Sequence, residues 1–379
     1  MPLTPIISPM KTVPASWQHK ERAARLASSM ALHFKMAAAG HQTFATVALP
    51  FALTRDKFTE YATAQGLTVE QNADTSLIQF QRGVVQVSGD AAQTRLDISS
   101  ETAAALQLLR DTLAERMKAL HIPVVWKPEA DKGRPANLST ATVVGVLHLS
   151  PAYARVTIEG PDLARFADGG LHFRLLFGPK DAGWPYTDET GVTQWPGGDK
   201  AWHRPVYTVR SIVCSAGGSA CIDFDIFLHD GGRVTEWTKS VTLGDEVALT
   251  GPNGGRADRK AGWQLLIGDE TAVPVIARQL AVLPEKTAGK AVLFVPDAAD
   301  IQSLAHPAGM TVQWALRKDS QTPLDALHAA ALPEKDRFVF FAAERSEAVA
   351  ARGYLGEQGL AKDEFQSAAY WTAPTSDAQ

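Results

Sequence analysis

The spacing of apolar positions predicts a small mixed unit at the start of the chain. Residues 16–36, 54–65 and 100–120 carry apolar side chains at helical spacing, and Ser100 is expected to cap the last of these helices. Between the second and third helices, short runs of alternating apolar and polar residues predict three or four antiparallel strands. We therefore expect an α+β unit over residues 17–121.

The pattern of apolar and polar residues then changes twice along the rest of the chain. Residues 122–138 are rich in proline and charge and lack a period, which indicates a linker. Short strands separated by Gly, Pro and Asp turns over 139–258 predict a closed or nearly closed antiparallel β-barrel, with a long aromatic insert at 178–203 of a kind that is usually functional or mobile. Buried β-rich runs alternate with amphipathic stretches, such as 299–307, across 259–379 and predict a parallel α/β sheet with helices on both faces.

Composition narrows the functional classes. The 379 residues are 45% apolar and 21% charged, enough for two or three packed cores. A net charge of -4 gives no general attraction to nucleic acid or to an anionic bilayer. The start of the chain lacks the pattern of a secretory peptide, and no apolar run approaches the roughly 20 residues of a membrane-spanning helix. We expect a cytoplasmic monomer that neither binds nucleic acid nor inserts into membranes.

The two cysteines do not predict a metal site. Cys214 and Cys221 flank a glycine-rich stretch that is typical of a hairpin loop and does not match common metal-ligand spacings. On facing strand positions they would be able to form a disulfide. In a reducing cytosol two free thiols are the expected state.

Three short segments carry candidate binding chemistry. "YTVR" at 207–210 places a phenol and a hydroxyl on adjacent strand positions, whose side chains point to opposite faces. In "LHDGGRVTEW", Gly231 and Gly232 allow backbone N–H groups to approach a phosphate, and Thr235 adds a hydroxyl near a helix start. In "LLIGDETAVP", a strand, a turn at Gly268 and a helix start present unsatisfied N–H groups to a pyrophosphate.

With the late "AAYW", these segments resemble the siderophore-interacting protein family, a branch of the ferredoxin-reductase superfamily, over residues 139–373. The stretches "DFDIFLHDGGRVTEW" and "GDETAVPVIARQLAVLP" are specific to the family when they occur together. The resemblance implies an FAD-binding barrel followed by an NAD(P)H-binding domain. Residues 25–120 look like the small domain of unassigned role that precedes the reductase in some members.

The resemblance also assigns roles to residues. It implies that Tyr207 stacks on the flavin and that Thr208 contacts flavin N5, and we take these two as the catalytic positions. The implied cofactor-binding residues are Arg204, Tyr207, Thr208, Val209, Arg210, His229, Gly231, Gly232, Thr235, Trp237, Gly268, Asp269, Glu270, Thr271 and Pro274. An arginine for the FAD diphosphate is expected two residues before the tyrosine, where this chain has Pro205. Either Arg204, brought into reach by a bulge at the proline, or Arg210 supplies that charge.

The coenzyme and several further positions stay open at this point. Asp297, after the second strand of the α/β region, favours NADH, whereas Arg317 and Lys318 after the third are able to accept the 2′-phosphate of NADPH. We lean slightly to NADH. Glu344 either lines the nicotinamide pocket or caps the following helix. The aromatic pair at 370–371 either covers the flavin or packs in the core.

The implied reaction moves a hydride from the nicotinamide to the flavin and then single electrons to a ferric siderophore, releasing Fe(II) for iron assimilation. Basic residues are expected at the substrate site, and the candidates are Arg174, Lys180, Arg317 and Arg352. One alternative is the same enzyme acting on a ferredoxin-like protein, a free flavin or a quinone. Another is a non-catalytic siderophore-binding or iron-sensing module whose flavin site has decayed.

Overall fold

The structure is a computed structural model that describes residues 40–128, 132–168, 170–255, 260–319 and 321–374. The predicted helix over 16–36 lies outside these residues. The chain divides into two units that interleave along the sequence. The first is Met1–Asn137 with Pro185–Pro196, and the second is Leu138–Trp184 with Gly197–Gln379.

The first unit is built on a six-stranded antiparallel sheet with the order β2-β3-β4-β5-β1-β6. Its elements are β1 His41–Val47, α1 Phe51–Ala64, β2 Thr68–Gln71, β3 Thr75–Phe80, β4 Gly83–Gly89, β5 Thr94–Ser100, α2 Ala103–Ala119 and β6 Val124–Trp126. One sheet face, including Ile78, Val85 and Leu96, packs against the apolar sides of the helices around Phe58 and Leu113. The predicted α+β character of this unit is confirmed.

Two boundaries of this unit differ from the prediction. Helix α2 begins at Ala103 because the Thr102 hydroxyl accepts the N–H of Ala105 at 3.2 Å, so Thr102 is the cap. Ser100 instead ends β5, and its hydroxyl donates to the carbonyl of Arg82 at 2.6 Å. Residues from the start of the predicted linker form β6, which adds to the sheet beside β1.

The second unit begins with an antiparallel barrel of order β12-β9-β15-β7-β8-β14-β13. The elements of this stretch of chain are β7 Leu138–Ser150, β8 Tyr153–Gly160, β9 His172–Leu176, β10 Tyr186–Thr187, β11 Thr193–Gln194, β12 Val206–Thr208, β13 Ser211–Cys214, β14 Ala220–Phe227, α3 Arg233–Thr238 and β15 Glu246–Asn253. The chain crosses from the β12 edge to the β13 edge through two residues. Val209 donates to the carbonyl of Leu171 and Arg210 to that of Asp223, both at 2.8 Å. The predicted, nearly closed barrel is confirmed.

The two cysteines lie on the β13–β14 ribbon. Cys214 pairs with Ala220, whereas Cys221 pairs with Val213. Successive strand residues point to opposite faces, so this offset of one residue places the thiols on different faces of the ribbon. Both thiols are free.

Part of the aromatic insert belongs to the first unit. Strands β10 and β11 pair as a short hairpin within Pro185–Pro196. The carboxylate of Asp111 on α2 accepts the backbone N–H of Thr193 at 2.9 Å and its hydroxyl at 2.7 Å. Gln107 donates to Asp111 and to the carbonyl of Gly191, both at 2.9 Å. Val192 packs against the apolar core of the first unit.

The chain ends in a five-stranded parallel sheet of order β18-β17-β16-β19-β20. Its elements are β16 Trp263–Gly268, α4 Val273–Val282, β17 Ala288–Val295, β18 Met310–Leu316, α5 Pro323–His328, β19 Arg337–Glu344, α6 Arg345–Glu357 and β20 Phe365–Trp371. Helix α4 covers one face and α5 and α6 cover the other, as predicted. Within the described ranges, no helix is both long and apolar enough to cross a membrane.

One connection in this sheet departs from the alternating pattern. The run 299–307 forms no α-helix, and β17 is followed only by the 3-10 turn Ala298–Asp300. Asp300 is buried, and its carboxylate accepts the hydroxyl of Ser150 at 2.6 Å and the N–H of Ala152 at 2.9 Å. The turn is therefore fixed by the barrel, through the β7–β8 connection.

We expect Asp111→Ala to destabilise the first unit by about 2 kcal/mol, because the N–H and hydroxyl of Thr193 lose their acceptor. Chemical denaturation measures the change in the free energy of unfolding, and hydrogen exchange at the Thr193 amide reports the local effect. Glu115→Ala, at an exposed position one turn further along α2, is the matched control and should change stability by less than about 0.5 kcal/mol. Equal effects of the two substitutions would contradict the role assigned to Asp111.

Candidate functional site

The segment "YTVR" lies where the chain crosses between the two edges of the barrel. Tyr207 pairs with Phe173 and turns its ring inward, where the ring centroids of Phe173 and Phe224 lie 6.3 and 5.4 Å away. Burial raises the pKa of Tyr207, so the phenol stays protonated. Thr208 is buried and pairs with His172 on the opposite face. The two predicted catalytic side chains are adjacent in sequence but project from opposite sides of the strand.

The bulge proposed for Pro205 is absent. Strand pairing runs without a break from Thr208 opposite His172 to His203 opposite Phe177, and the Pro205 carbonyl accepts the N–H of Leu175 at 3.0 Å. The hypothesis that a bulge turns Arg204 toward the face of Tyr207 is therefore wrong. Arg204 keeps the strand parity of Thr208.

Arg210 lies in a different place from Arg204. Its backbone pairs with β14, and its Nε is 3.6 Å from the Asp225 carboxylate. Asp225 is itself held by Arg155, whose Nε lies 2.6 Å away. The two arginines considered for the diphosphate thus lie beside different strands, Arg204 beside β9 and Arg210 beside β14.

The segment "HDGGRVTEW" forms a narrow turn into helix α3. Gly231 has φ +72° with open space around it, and a Cβ on Gly232 would lie 2.8 Å from both the His229 ring and the Thr235 hydroxyl. That hydroxyl accepts the N–H of His229 at 3.1 Å. Trp237 packs edge-on against Phe177, with centroids 5.5 Å apart. We call residues 229–235 the glycine cradle.

The segment "GDETAVP" connects β16 to α4, and we call residues 268–274 the nucleotide loop. A Cβ on Gly268 would approach within 2.8 Å of the Ile276 side chain and 3.2 Å of the Ala342 carbonyl, so this close strand–helix approach requires glycine. Asp269 caps the turn, accepting the N–H of Thr271 at 2.9 Å and its hydroxyl at 2.6 Å. Pro274 lies in the first turn of α4.

Both carboxylates of this loop are engaged. Trp371 donates its indole N–H to Asp269 at 2.7 Å, and burial is the main cause that raises the pKa of Asp269. Glu270 forms a two-point ion pair with Arg317, at 2.8 and 3.0 Å. Any contact with an anionic coenzyme must therefore come from other groups, such as the backbone of the turn.

Side chains that the sequence did not single out hold the barrel and the parallel sheet together. The Tyr153 hydroxyl donates to the Glu270 carbonyl at 2.7 Å, and its ring lies 5.7 Å from Phe227, which stacks on His229. This series of contacts links the nucleotide loop to the glycine cradle. Tyr153 and its strand neighbour Ala154 are both buried, so the alternation along β8 gives no sign of the partner of Tyr153.

A second link joins the two parts of this unit. His172 on β9 hydrogen-bonds through Nε2 to the Tyr370 hydroxyl on β20, at 3.0 Å. Burial lowers the pKa of His172 to about 4, so the imidazole is neutral near pH 7. Tyr370 and Trp371 thus contact His172 and Asp269, respectively.

Several other candidates have structural partners. The carboxylate of Glu344 caps α6 and accepts the N–H of Ala373 at 3.1 Å, and its hydrogen bonds, led by Ser346, lower its pKa to about 2. Arg352 donates to the carbonyl of Ser367 at 3.0 Å. Asp297 caps a 3-10 turn, and Arg174 donates to the carbonyl of Arg204. Lys180 and Lys318 are exposed.

Comparison with known proteins identifies the chain. Residues 142–256 match the siderophore-interacting FAD-binding domain, and residues 261–374 match the siderophore-interacting protein domain. Ferric vibriobactin reductase ViuB of Vibrio cholerae is 30% identical over 242 residues, which cover 59% of this chain and 85% of that protein. The chain belongs to the siderophore-interacting protein family.

Other proteins are similar to this chain in sequence or in fold. The NADPH-dependent ferric-chelate reductase of Escherichia coli is 30% identical over 241 residues, covering 61% of this chain and 92% of the relative. A siderophore utilization protein from T. fusca shares the fold with a TM-score of 0.54 and 25% identity, over 66% of this chain and 99% of its own. SipS from Aeromonas hydrophila shares the fold with a TM-score of 0.53 and 24% identity, over 63% and 93%.

The residues present fit the FAD that this family's barrel binds. Gly231 leaves open space above backbone in the left-handed region, and Gly232 has no room for a side chain, which suits a turn that closes on a phosphate. The Nε of Arg210 is buried without a hydrogen-bond partner, as expected of a group that awaits an anionic or carbonyl acceptor.

Gly232→Ala should weaken FAD binding about tenfold, because its Cβ displaces the His229 ring or the Thr235 hydroxyl and narrows the cradle. Equilibrium dialysis or flavin fluorescence with the apoprotein measures the affinity. Gly353→Ala, in α6 with open space around it, is the control and should leave FAD binding unchanged. Unaltered affinity of the Gly232 variant would contradict a role for the cradle in binding.

The folded protein should lose stability as the pH falls from about 6.5 to about 4. His172 is neutral in the folded state but binds a proton in the unfolded state across this window, so acid favours unfolding, by roughly 3 kcal/mol. His172→Gln keeps a side-chain nitrogen for Tyr370 but does not titrate. Denaturant midpoints measured against pH should fall less steeply for this variant than for the parent, whereas the exposed His306→Gln should follow the parent curve.

Proposed function

We propose that this chain is a ferric-siderophore reductase, in which the barrel of residues 139–258 binds FAD and residues 259–379 bind the nicotinamide coenzyme. The observation that carries the proposal is that the nucleotide loop and the glycine cradle are joined within one unit. The nucleotide loop contacts Tyr153, Tyr153 contacts Phe227, and Phe227 stacks on the glycine cradle. The names of the two curated relatives, a ferric vibriobactin reductase and a ferric-chelate reductase, support iron chelates as substrates.

In this proposal FAD supplies the conversion of a two-electron donor into single electrons for Fe(III). The protein residues bind and orient. The glycine cradle and Thr235 hold the diphosphate, Tyr207 and Thr208 support the flavin ring, and the turn at Gly268 receives the coenzyme pyrophosphate. Iron is a substrate here, and within the described residues no three His, Cys, Asp or Glu side chains are arranged to hold a metal ion.

We propose NADPH as the preferred donor, which revises the slight lean to NADH. That lean rested on Asp297, whose carboxylate accepts the N–H of Ala299 at 3.0 Å as a cap. The guanidinium of Arg317 is engaged by Glu270, which leaves the exposed Lys318 as the cation for a 2′-phosphate. The name of the Escherichia coli relative, an NADPH-dependent reductase, supports the same choice.

The test is anaerobic reduction of a ferric hydroxamate and a ferric catecholate by the FAD-loaded protein, with a chelator that traps Fe(II). We expect a yellow protein that reduces at least one chelate and shows a higher kcat/KM with NADPH than with NADH. Lys318→Met should reduce the NADPH rate about tenfold and leave the NADH rate unchanged, because only the 2′-phosphate contact is lost.

Three outcomes would contradict the proposal. A protein that takes up no FAD would exclude a flavin enzyme. A reduced protein that passes electrons to a ferredoxin or a quinone but not to ferric chelates would indicate a different acceptor. Equal loss of both coenzyme rates in Lys318→Met would exclude that lysine as the phosphate contact.

A further inference from the structure

Two arginines of the second unit lie in partly buried positions with few partners. Arg210 follows Thr208 directly after Val209, and its side chain is only 16% exposed. Arg278 lies on α4, which packs against β12, and is half-buried. Arg278 makes no hydrogen bond or ion pair with any described residue, and the Nε of Arg210 has no hydrogen-bond partner.

The carboxylates nearby are already used. Asp225 accepts two hydrogen bonds from Arg155, at 2.6 and 2.9 Å, whereas its distance to the Arg210 Nε is 3.6 Å. Asp223 accepts the hydroxyls of Thr157 and Ser211 at 2.7 and 2.6 Å. The carboxylates near Arg210 are therefore already engaged by Arg155, Thr157 and Ser211, and Arg278 makes no ion pair with a described residue, so both arginines carry positive charge that is not fully paired.

This excess is costly unless an anion offsets it. Burial is the main cause that lowers the pKa of Arg210; the charge of Asp225 opposes this shift, and the charges of Arg155 and Arg278 add to it. Burial also lowers the pKa of Arg278. Buried charges in proteins are normally paired, so cations held this way point to an anionic ligand that completes the cluster.

The location of the pair indicates which anion it is. Arg210 is the last residue of the "YTVR" segment, and its Nε lies 3.6 Å from Asp225 on β14, a strand that ends at Phe227 before the glycine cradle begins at His229. In the function proposed above, the glycine cradle holds the diphosphate. A siderophore reaches the protein from solvent, and a side chain as little exposed as that of Arg210 is poorly placed to contact it. In the function proposed above the flavin ring lies at Tyr207 and Thr208, immediately before Arg210 in the "YTVR" segment, and the ring becomes anionic when it is reduced.

Resting on the function proposed above, we propose that Arg210 and Arg278 form an anion site that holds the negative charge gained by the flavin ring on reduction. Hydride transfer oxidises the nicotinamide and gives the flavin two electrons and one proton. The ring therefore carries one net negative charge unless a second proton follows. Cations beside the ring bind the charged reduced form more tightly than the neutral oxidised form and raise the reduction potential.

Arg278→Met tests this, because it removes the charge and keeps the length of the side chain. We expect reduced FAD to bind about tenfold more weakly relative to oxidised FAD, which for two electrons lowers the midpoint potential by about 30 mV. Spectroelectrochemical titration measures the potential, and its slope against pH should show greater proton uptake on reduction in the variant. Arg210→Met should act in the same direction, and Asp225 keeps Arg155 as a partner in that variant.

Two controls separate charge from structure. Arg278→Lys retains the charge and should shift the binding ratio by less than about threefold. Lys286→Met makes the same charge change at an exposed position after α4 and should leave the potential unchanged. Thermal unfolding of each variant shows whether it is folded before the potential is compared.

Equal weakening of oxidised and reduced FAD in Arg278→Met would assign the pair to the diphosphate and overturn the proposal. An unchanged potential with a raised KM for the ferric chelate would assign it to the substrate, with the same consequence. A protein that takes up no FAD overturns both this inference and the function on which it rests. If the parent protein reduces ferric chelates and Arg278→Met leaves the midpoint potential unchanged, this inference alone is overturned.

Discussion

A single buried hydrogen bond, from the Tyr153 hydroxyl to the Glu270 carbonyl, joins the barrel to the parallel sheet within the second unit. Its net contribution to stability is about 1 kcal/mol, but leaving either group unpaired in the interior would cost more. It acts on the backbone of the nucleotide loop, whose carboxylates are held separately by Arg317 and Trp371. The position of the loop is therefore determined by the barrel as well as by its own sheet.

Repeating patterns made most of the fold predictable. Alternating short strands specified the barrel, buried β-rich runs specified the parallel sheet, and strand parity placed Tyr207 and Thr208 on opposite faces, because each of these follows from local periodicity. Long-range partners could not be predicted in this way. Asp300 reaches Ser150 across 150 residues of sequence, and the run 299–307, whose pattern favours a helix, forms none.

The site shows the same division between motif and partner. The glycines of the cradle could be found from sequence because a narrow turn needs them wherever it occurs. Arg278 could not be found from sequence. A single arginine within an apolar helix looks like a surface residue until the facing β-strand is known. The bulge hypothesis at Pro205 failed because a proline keeps its carbonyl, and that carbonyl continues the ladder to Leu175.

The β10–β11 hairpin has a consequence for how the two units are joined in the gene. Thr193 and Val192 come from the middle of the reductase sequence, yet they complete the core and the polar contacts of the first unit. Cutting the chain once, near residue 138, would deprive the amino-terminal fragment of a piece that is encoded some fifty codons downstream. A shorter reductase derived from this chain would have to lose two separate stretches together, and simple end-to-end fusion of two independent genes would not reproduce this arrangement.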